Sequence, residues 1–226
     1  LVPLIGGGNN RVFRVDTTDC RHLLKAYFHH PDDPRDRLAT DFGFSQRVAS
    51  TGRVPRPLAS DPANRLGLYE FVDGRKLAPD AVDDHAVSQA IEFFLAIQNS
   101  TAFAGFPAAS EACFDEAAHF ATVDRRIAGL ARIPAEFAEA SRFVREELGP
   151  AWDRIRTAIV PSEIALNPAA RCVSPSDFGF HNALLEADGR LRFLDFEYAG
   201  WDDPAKLVCD FFHQPAVPVP GQYLNR

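Results

Sequence analysis

Ser176-Asp177-Phe178-Gly179-Phe180-His181-Asn182, followed by Asp195-Phe196-Glu197 at the end of the apolar run Leu191-Arg192-Phe193-Leu194, decides how the rest of the chain reads. An Asp five residues before an Asn in one tight loop puts a base and a hard oxygen ligand on one surface. A carboxylate at the end of the next hairpin completes a site for a hard divalent cation. Phosphoryl transfer asks for this set: metal ligands, a group that orients or deprotonates the attacking hydroxyl, and positive charge for the phosphates. D-x4-N alone is a common loop pattern, so the surrounding segments have to agree with it.

Working outward, Gly189 between Leu184-Leu185 and Leu191 marks a hairpin with its tip at Glu186 to Arg190. Upstream, Val12 to Val15 and His22 to Phe28 read as two strands joined by the turn residues Asp16-Thr17-Thr18-Asp19. A helix is expected over 35–50, stopped by Gly52, then an extended segment from Pro55 and a strand from Leu66 to Val72 ended by Asp73-Gly74. From Asp83 the pattern becomes helical, with Ala86, Val87, Ala90, Ile91, Phe94 and Leu95 on one stripe. A second long stripe runs from Phe137 to Ile159, with Pro150 set to kink or divide it. The expected class is α+β: a small β-rich N-terminal lobe, residues 1–73, and a mostly helical C-terminal lobe, residues 74–226, that carries the loop and the hairpin.

Composition narrows the function. A net charge of −7 and a pI near 5.5 exclude the basic stripe of a general nucleic-acid binder. Asp177, Asp195, Asp202, Asp203 and Asp210 crowd the last part of the chain, as a metal site or solvated loops would require. Cys20, Cys113, Cys172 and Cys209 are widely spaced, which fits free thiols in a reducing compartment. No apolar run approaches the ~18 residues of a membrane span, so the expectation is a cytoplasmic protein with no membrane partner. The chain has no Met, not even an initiator, which reads either as processing or as a portion cut from something longer.

Gly6-Gly7-Gly8-Asn9-Asn10 precedes the first strand, where glycines let backbone N–H groups approach phosphate oxygens; a plain flexible turn is the alternative. Lys25 lies within the second strand and Asp41 on the following helix. The order of glycine loop, strand lysine, helix acid, Glu70-Phe71-Val72, D-x4-N and hairpin Asp resembles the protein-kinase-like fold, in particular the aminoglycoside phosphotransferase and choline kinase branch. That branch runs roughly H-G-D-x4-N, D-[WF]-[ED], G-D-P. Here Ser174 to Asn182, Asp195-Phe196-Glu197 and Trp201-Asp202-Asp203-Pro204 stand in those places. Arg37-Leu38-Ala39-Thr40-Asp41 is similar to its R-L-x-x-E, and Val54-Pro55-Arg56-Pro57 to its V-P-x-P.

The resemblance implies a small-molecule kinase using ATP and Mg²⁺. Lys25 would contact the nucleotide phosphates and Asp41 would hold Lys25. Gly6 to Asn10 would cover the phosphates, and the backbone of Glu70, Phe71 and Val72 would receive the adenine edge. Asp177 would orient or deprotonate an acceptor hydroxyl, with Asn182 and Asp195 on the metal. Several positions depart from the branch. Asp41 is one methylene shorter than Glu, so the ion pair needs a closer helix or a bridging water. Pro175 stands where the branch has His, and Lys206-Leu207 where it has a further Asp. His181 either lines the site or packs on Phe178 and Phe180. Trp152 and Trp201 read as packing residues before acceptor platforms. Between Pro107 and Val160 nine acidic side chains face seven basic ones, which does not mark a strongly cationic acceptor. The alternative reading is a nucleotide-binding module without transfer activity.

Overall fold

The computed structural model describes residues 1–4, 9–31, 33 and 35–225. They form two compact units, Leu1–Ser110 with Cys172–Arg226, and Glu111–Arg171. The first unit opens on an antiparallel sheet ordered β1 (Val2–Leu4), β2 (Arg11–Asp16), β3 (Arg21–Ala26), β5 (Leu66–Glu70), β4 (Pro57–Asp61). The turn between β2 and β3 is closed by Thr17, whose Oγ1 donates to the Cys20 carbonyl at 2.9 Å and accepts from the Cys20 N–H at 3.1 Å. Helix α1 (Arg37–Val48) begins where Asp36 accepts the Ala39 N–H, and it buries Leu38, Asp41, Phe44 and Val48. The strand expected to reach Val72 ends at Glu70, and the next three residues, Phe71 to Asp73, cross to the remainder of the unit as irregular backbone.

That crossing leads into a three-stranded sheet, β6 (Gly74–Lys76), β8 (Ala183–Glu186), β9 (Leu191–Phe193), of which the sequence revealed only the last two strands. Gly74 is where β6 comes close: a Cβ there would stand 2.9 Å from the Leu184 Cβ and 3.1 Å from the Leu185 carbonyl oxygen. A short ladder joins β7 (Cys172–Ser174) to β10 (Gly200–Asp202). Gly200 is pressed on the backbone of Pro107 to Ala109, with a built Cβ only 2.3 Å from the Ala109 nitrogen.

Phenylalanine is the commonest residue of the core. Phe93 of α2 (Asp84–Gln98) stacks on Phe193 at 5.0 Å, and Phe44 of α1 stacks on Phe196 at 4.6 Å. The buried stripe of α2 is Ala86, Val87, Ala90, Phe93 and Ile97; Leu95, expected on it, is exposed. A helix repeats every 3.6 residues, so 86, 90, 93 and 97 share a face from which position 95 has rotated away.

The second unit contains α3 (Glu116–Leu130), α4 (Ala138–Phe143) and α5 (Gly149–Ala158). Between α4 and α5 the backbone makes a π turn over Val144–Leu148, and the Gly149 N–H reaches back to the Val144 carbonyl. Pro150, in the first turn of α5, has no N–H to give, so the irregularity falls just before it. Within this unit Asp124 accepts from Trp152 Nε1 at 2.8 Å and Arg156 at 2.7 Å, and Phe120 packs on Trp152. Trp152 is therefore a packing residue held by a carboxylate. No described helix is long and apolar enough to cross a membrane. α6 (Pro204–Phe212) closes the first unit, capped by Asp203.

Candidate active site

Phenylalanines at alternate positions anchor the decisive loop. Phe178 and Phe180 are buried, at 6% and 0% exposure, against Phe93, Phe193 and Phe211. With those two inserted, Asp177 is left facing outward, its side chain about half exposed. Ser176 and Asp177 sit at φ 47° and 45°, and Asp195 at φ 70°. Left-handed backbone is unfavourable for non-glycine residues and collects at functional sites. Three of the four such residues among those described lie here, the fourth being Arg65.

The loop and hairpin are joined by a backbone bond from the Leu194 N–H to the Asn182 carbonyl at 2.8 Å. This brings Asn182 beside Asp195. Asn182 Nδ2 donates to the Asp177 carbonyl at 3.2 Å, so one amide braces the loop while its oxygen is left for another partner. His181 Nε2 stands 3.2 Å from Asp177 Oδ1. His181 therefore sits at the site, beside the carboxylate.

On the sheet side, Lys25 is buried and its Nζ donates to Asp41 Oδ2 at 2.7 Å and to Asp195 Oδ1 at 2.5 Å. The shorter acid meets Lys25 directly, without a bridging water. Tyr27 Oη also reaches Asp41 Oδ2 at 2.7 Å and lies 2.6 Å from Tyr69 Oη, while the Phe196 N–H donates to Asp41 Oδ1 at 3.2 Å. Asp41 thus ties strand, helix and hairpin together. Burial by itself would lower the Lys25 pKa, but Asp41 and Asp195 raise it well above the ordinary lysine value, so the cation persists. Burial, and then Asp41, push the Tyr27 hydroxyl upward, keeping it a donor.

A second buried pair lies beside the first. Arg37 Nη1 donates to Glu197 Oε1 at 2.5 Å and its Nη2 to Asp33 Oδ2 at 2.9 Å. Asn10 Nδ2 donates to Glu197 Oε2 at 2.6 Å, and Asn10 Oδ1 accepts the Phe28 N–H. Glu197 is therefore committed to Arg37 and Asn10. Burial raises its pKa, with Asn10 and Arg37 acting in the opposite sense. Asn10, expected over phosphates, lines the cleft and anchors the start of β2 to the hairpin segment. Asn9 lies nearby in a bend, and Gly6, Gly7 and Gly8 lie outside the described residues.

Of these groups Asn10, Lys25, Asp41, Asn182 and Asp195 line a cleft of about 430 Å³, whereas Asp177 is not among its lining residues. Val12 and Leu23 contribute apolar surface from the sheet, Leu184 and Leu194 from the hairpin. Glu70, Phe71 and Val72 line the same cleft as Lys25, Asp41, Asn182 and Asp195. Glu70 is held by Arg192 at 2.8 Å, a contact between β9 and the end of β5. Lys76 also faces the cleft and donates to the His181 carbonyl at 2.6 Å. Burial lowers its pKa, with Asp195 pulling the other way. Sequence reasoning gave no role to Tyr27, Tyr69, Glu197, Arg192 or Lys76. A lysine two residues beyond Gly74 was the one available signal for the last.

Further along, Trp201 Nε1 donates to the Phe103 carbonyl at 3.3 Å. Lys206, standing where a further Asp was expected, bridges Asp202 at 3.5 Å and Asp210 at 2.5 Å. Among the described residues no three His, Cys, Asp or Glu side chains gather around a metal-sized point. A hard cation at Asn182 and Asp195 would therefore take much of its shell from water and phosphate, the usual arrangement for Mg²⁺.

A sequence model of the phosphotransferase enzyme family matches residues 1–211. Among solved structures, the chain is similar to a choline/ethanolamine kinase family protein from Mesorhizobium loti (23% identity, TM-score 0.55), covering 91% of this chain and 61% of that one. It is similar to a spectinomycin phosphotransferase in complex with ADP and spectinomycin (10% identity, TM-score 0.60), covering 89% and 64%. It is also similar to a choline kinase from Streptococcus pneumoniae (15% identity, TM-score 0.58), covering 98% and 78%. At these identities the likeness is one of fold, and the chain spans less than two thirds of the length of the first two. No curated protein sequence matches the chain.

Proposed function

The chain belongs to the phosphotransferase enzyme family, and from that premise we propose that it transfers the γ-phosphoryl group of ATP to a hydroxyl of a small molecule, with Mg²⁺. The observation that carries this reading is the convergence of Lys25, Asp41, Asn182 and Asp195 on one cleft, with Asp177 beside Asn182. Residues 1–73 serve as the nucleotide-binding lobe, and 74–226 supply the catalytic loop and hairpin. The four free thiols support a cytoplasmic setting.

Val12, Leu23, Leu184 and Leu194 would hold the base on apolar surface, and the backbone of Glu70 to Val72 would receive its edge. Lys25, fixed by two carboxylates, points a permanent positive charge at the phosphates. Asn182 and Asp195 would hold Mg²⁺, which neutralises charge developing on the transferring group. Asp177 accepts the hydroxyl proton as the acceptor oxygen bonds to the γ-phosphorus and the bond from that phosphorus to the bridging oxygen breaks, releasing ADP.

The test is a transfer screen with Mg²⁺, ATP or GTP, and panels of amino alcohols, sugars and aminoglycosides. Once an acceptor is found, Asp177→Asn should keep Mg-ATP binding within a few-fold and lose about 10²–10⁴-fold in rate. Turnover at the parent rate would remove Asp177 from the chemistry.

A further inference from the structure

We propose that Lys76 is a second cation for the nucleotide's phosphate chain, reaching it from the hairpin side as Lys25 does from the sheet. This rests on the nucleotide reading of the cleft. The chain has only three lysines, Lys25, Lys76 and Lys206, and the first two border this one cleft.

Register fixes where Lys76 stands. It is the cross-strand partner of Leu184, whose side chain forms part of the apolar hairpin wall. Its Nζ is held at 2.6 Å by the carbonyl of His181, the residue before Asn182. The ammonium is thus placed between the surface that receives a flat base and the end that carries Asn182 and Asp195. In a nucleotide lying along the cleft, the atoms between base and terminal phosphates are the ribose and the first phosphate.

Charge gives the second argument. Lys25 is already shared by Asp41 and Asp195, so that cluster holds one positive and two negative charges before a triphosphate arrives. Glu70 has its own counter-ion in Arg192. Lys76 donates one of its three N–H bonds to the His181 carbonyl and makes no ion pair among the described residues, which leaves donors for an anion. It supplies the positive charge that the Lys25 cluster lacks.

Calorimetry with magnesium, using ADP and adenosine as paired probes, tests the assignment. Lys76→Met should weaken ADP roughly tenfold or more, the loss of one charge-assisted contact, and leave adenosine within about twofold. Lys76→Arg, which keeps the charge, should hold ADP affinity near the parent value. The ADP affinity of the Met variant should also fall less steeply with added salt than the parent's. Unchanged ADP affinity in Lys76→Met overturns the proposal, as does an equal loss on ADP and adenosine, which would mean that Lys76 acts through the hairpin or the ribose. A parent protein that binds neither probe sinks the nucleotide reading itself, whereas tight ADP binding by both parent and Met variant sinks only the role of Lys76.

Discussion

Asp41→Ala removes one carboxylate on which three donors converge, and the structure indicates how much should be lost. Stranding a buried charge by deleting its partner costs about 3–5 kcal/mol. Here the charge is not stranded, because Lys25 keeps Asp195 Oδ1 at 2.5 Å. Tyr27 likewise keeps Tyr69 at 2.6 Å. The group left without an acceptor is the Phe196 N–H, in a residue 1% exposed, and a buried orphaned donor costs about 1–3 kcal/mol. With weakened support for Lys25 added, urea unfolding should show a loss of about 2–4 kcal/mol. Lys25, now drawn to Asp195 alone, should sit about 1 Å from its productive place, and transfer should fall about 100-fold. Asp41→Glu sharpens the test. Because the Asp already touches Lys25, Tyr27 and the Phe196 N–H, an added methylene has no gap to fill and should destabilise by about 1–3 kcal/mol through overpacking. A Glu variant that is both more stable and faster, or an Ala variant as stable as the parent, would refute this account of Asp41.

Asp195→Ala should abolish the magnesium-dependent part of nucleotide binding, since a hard cation with few protein ligands cannot spare one; calorimetry with and without magnesium reads this. Gly200→Ala would put a Cβ 2.3 Å from a backbone nitrogen that cannot yield as a side chain would, so thermal unfolding should show at least the ~1–3 kcal/mol loss of an overpacked core. With a thiol reagent at pH 8, Cys20 and Cys209 should label rapidly in the native protein. Cys172, its pKa pushed up to about 12 by burial and then by Asp202, should label only after unfolding, as should buried Cys113. Intact-protein mass spectrometry counts the labels.

What the sequence determined was local. Alternation in Val12 to Val15, the Asp-Thr-Thr-Asp turn and the 3.6-residue stripe after Asp83 express backbone preferences that act over a few residues, so strands β2 and β3 and helices α1 and α2 were legible with only their ends misplaced. The spacing within Asp177 to Asn182 was equally local, and it placed both residues on one loop. Contacts between distant residues were not legible. β6 is three residues long and makes sense only once β8 lies beside it, and the stripe of α2 settled on Phe93 and Ile97 because Phe193 and Phe178 were there to be met. The same holds for the charges. Lys25 meets Asp195 across 170 residues, Arg37 meets Glu197 across 160, and Asn10 meets Glu197 across 187. The short acid reaches Lys25 directly because α1 lies close enough to β3 for Asp41 Oδ2 to stand 2.7 Å from Nζ, a tertiary approach that no local pattern encodes. Local sequence fixes which groups a segment can present; the close packing of the core fixes which of them meet within hydrogen-bond distance, and the chemistry of the cleft depends on those meetings.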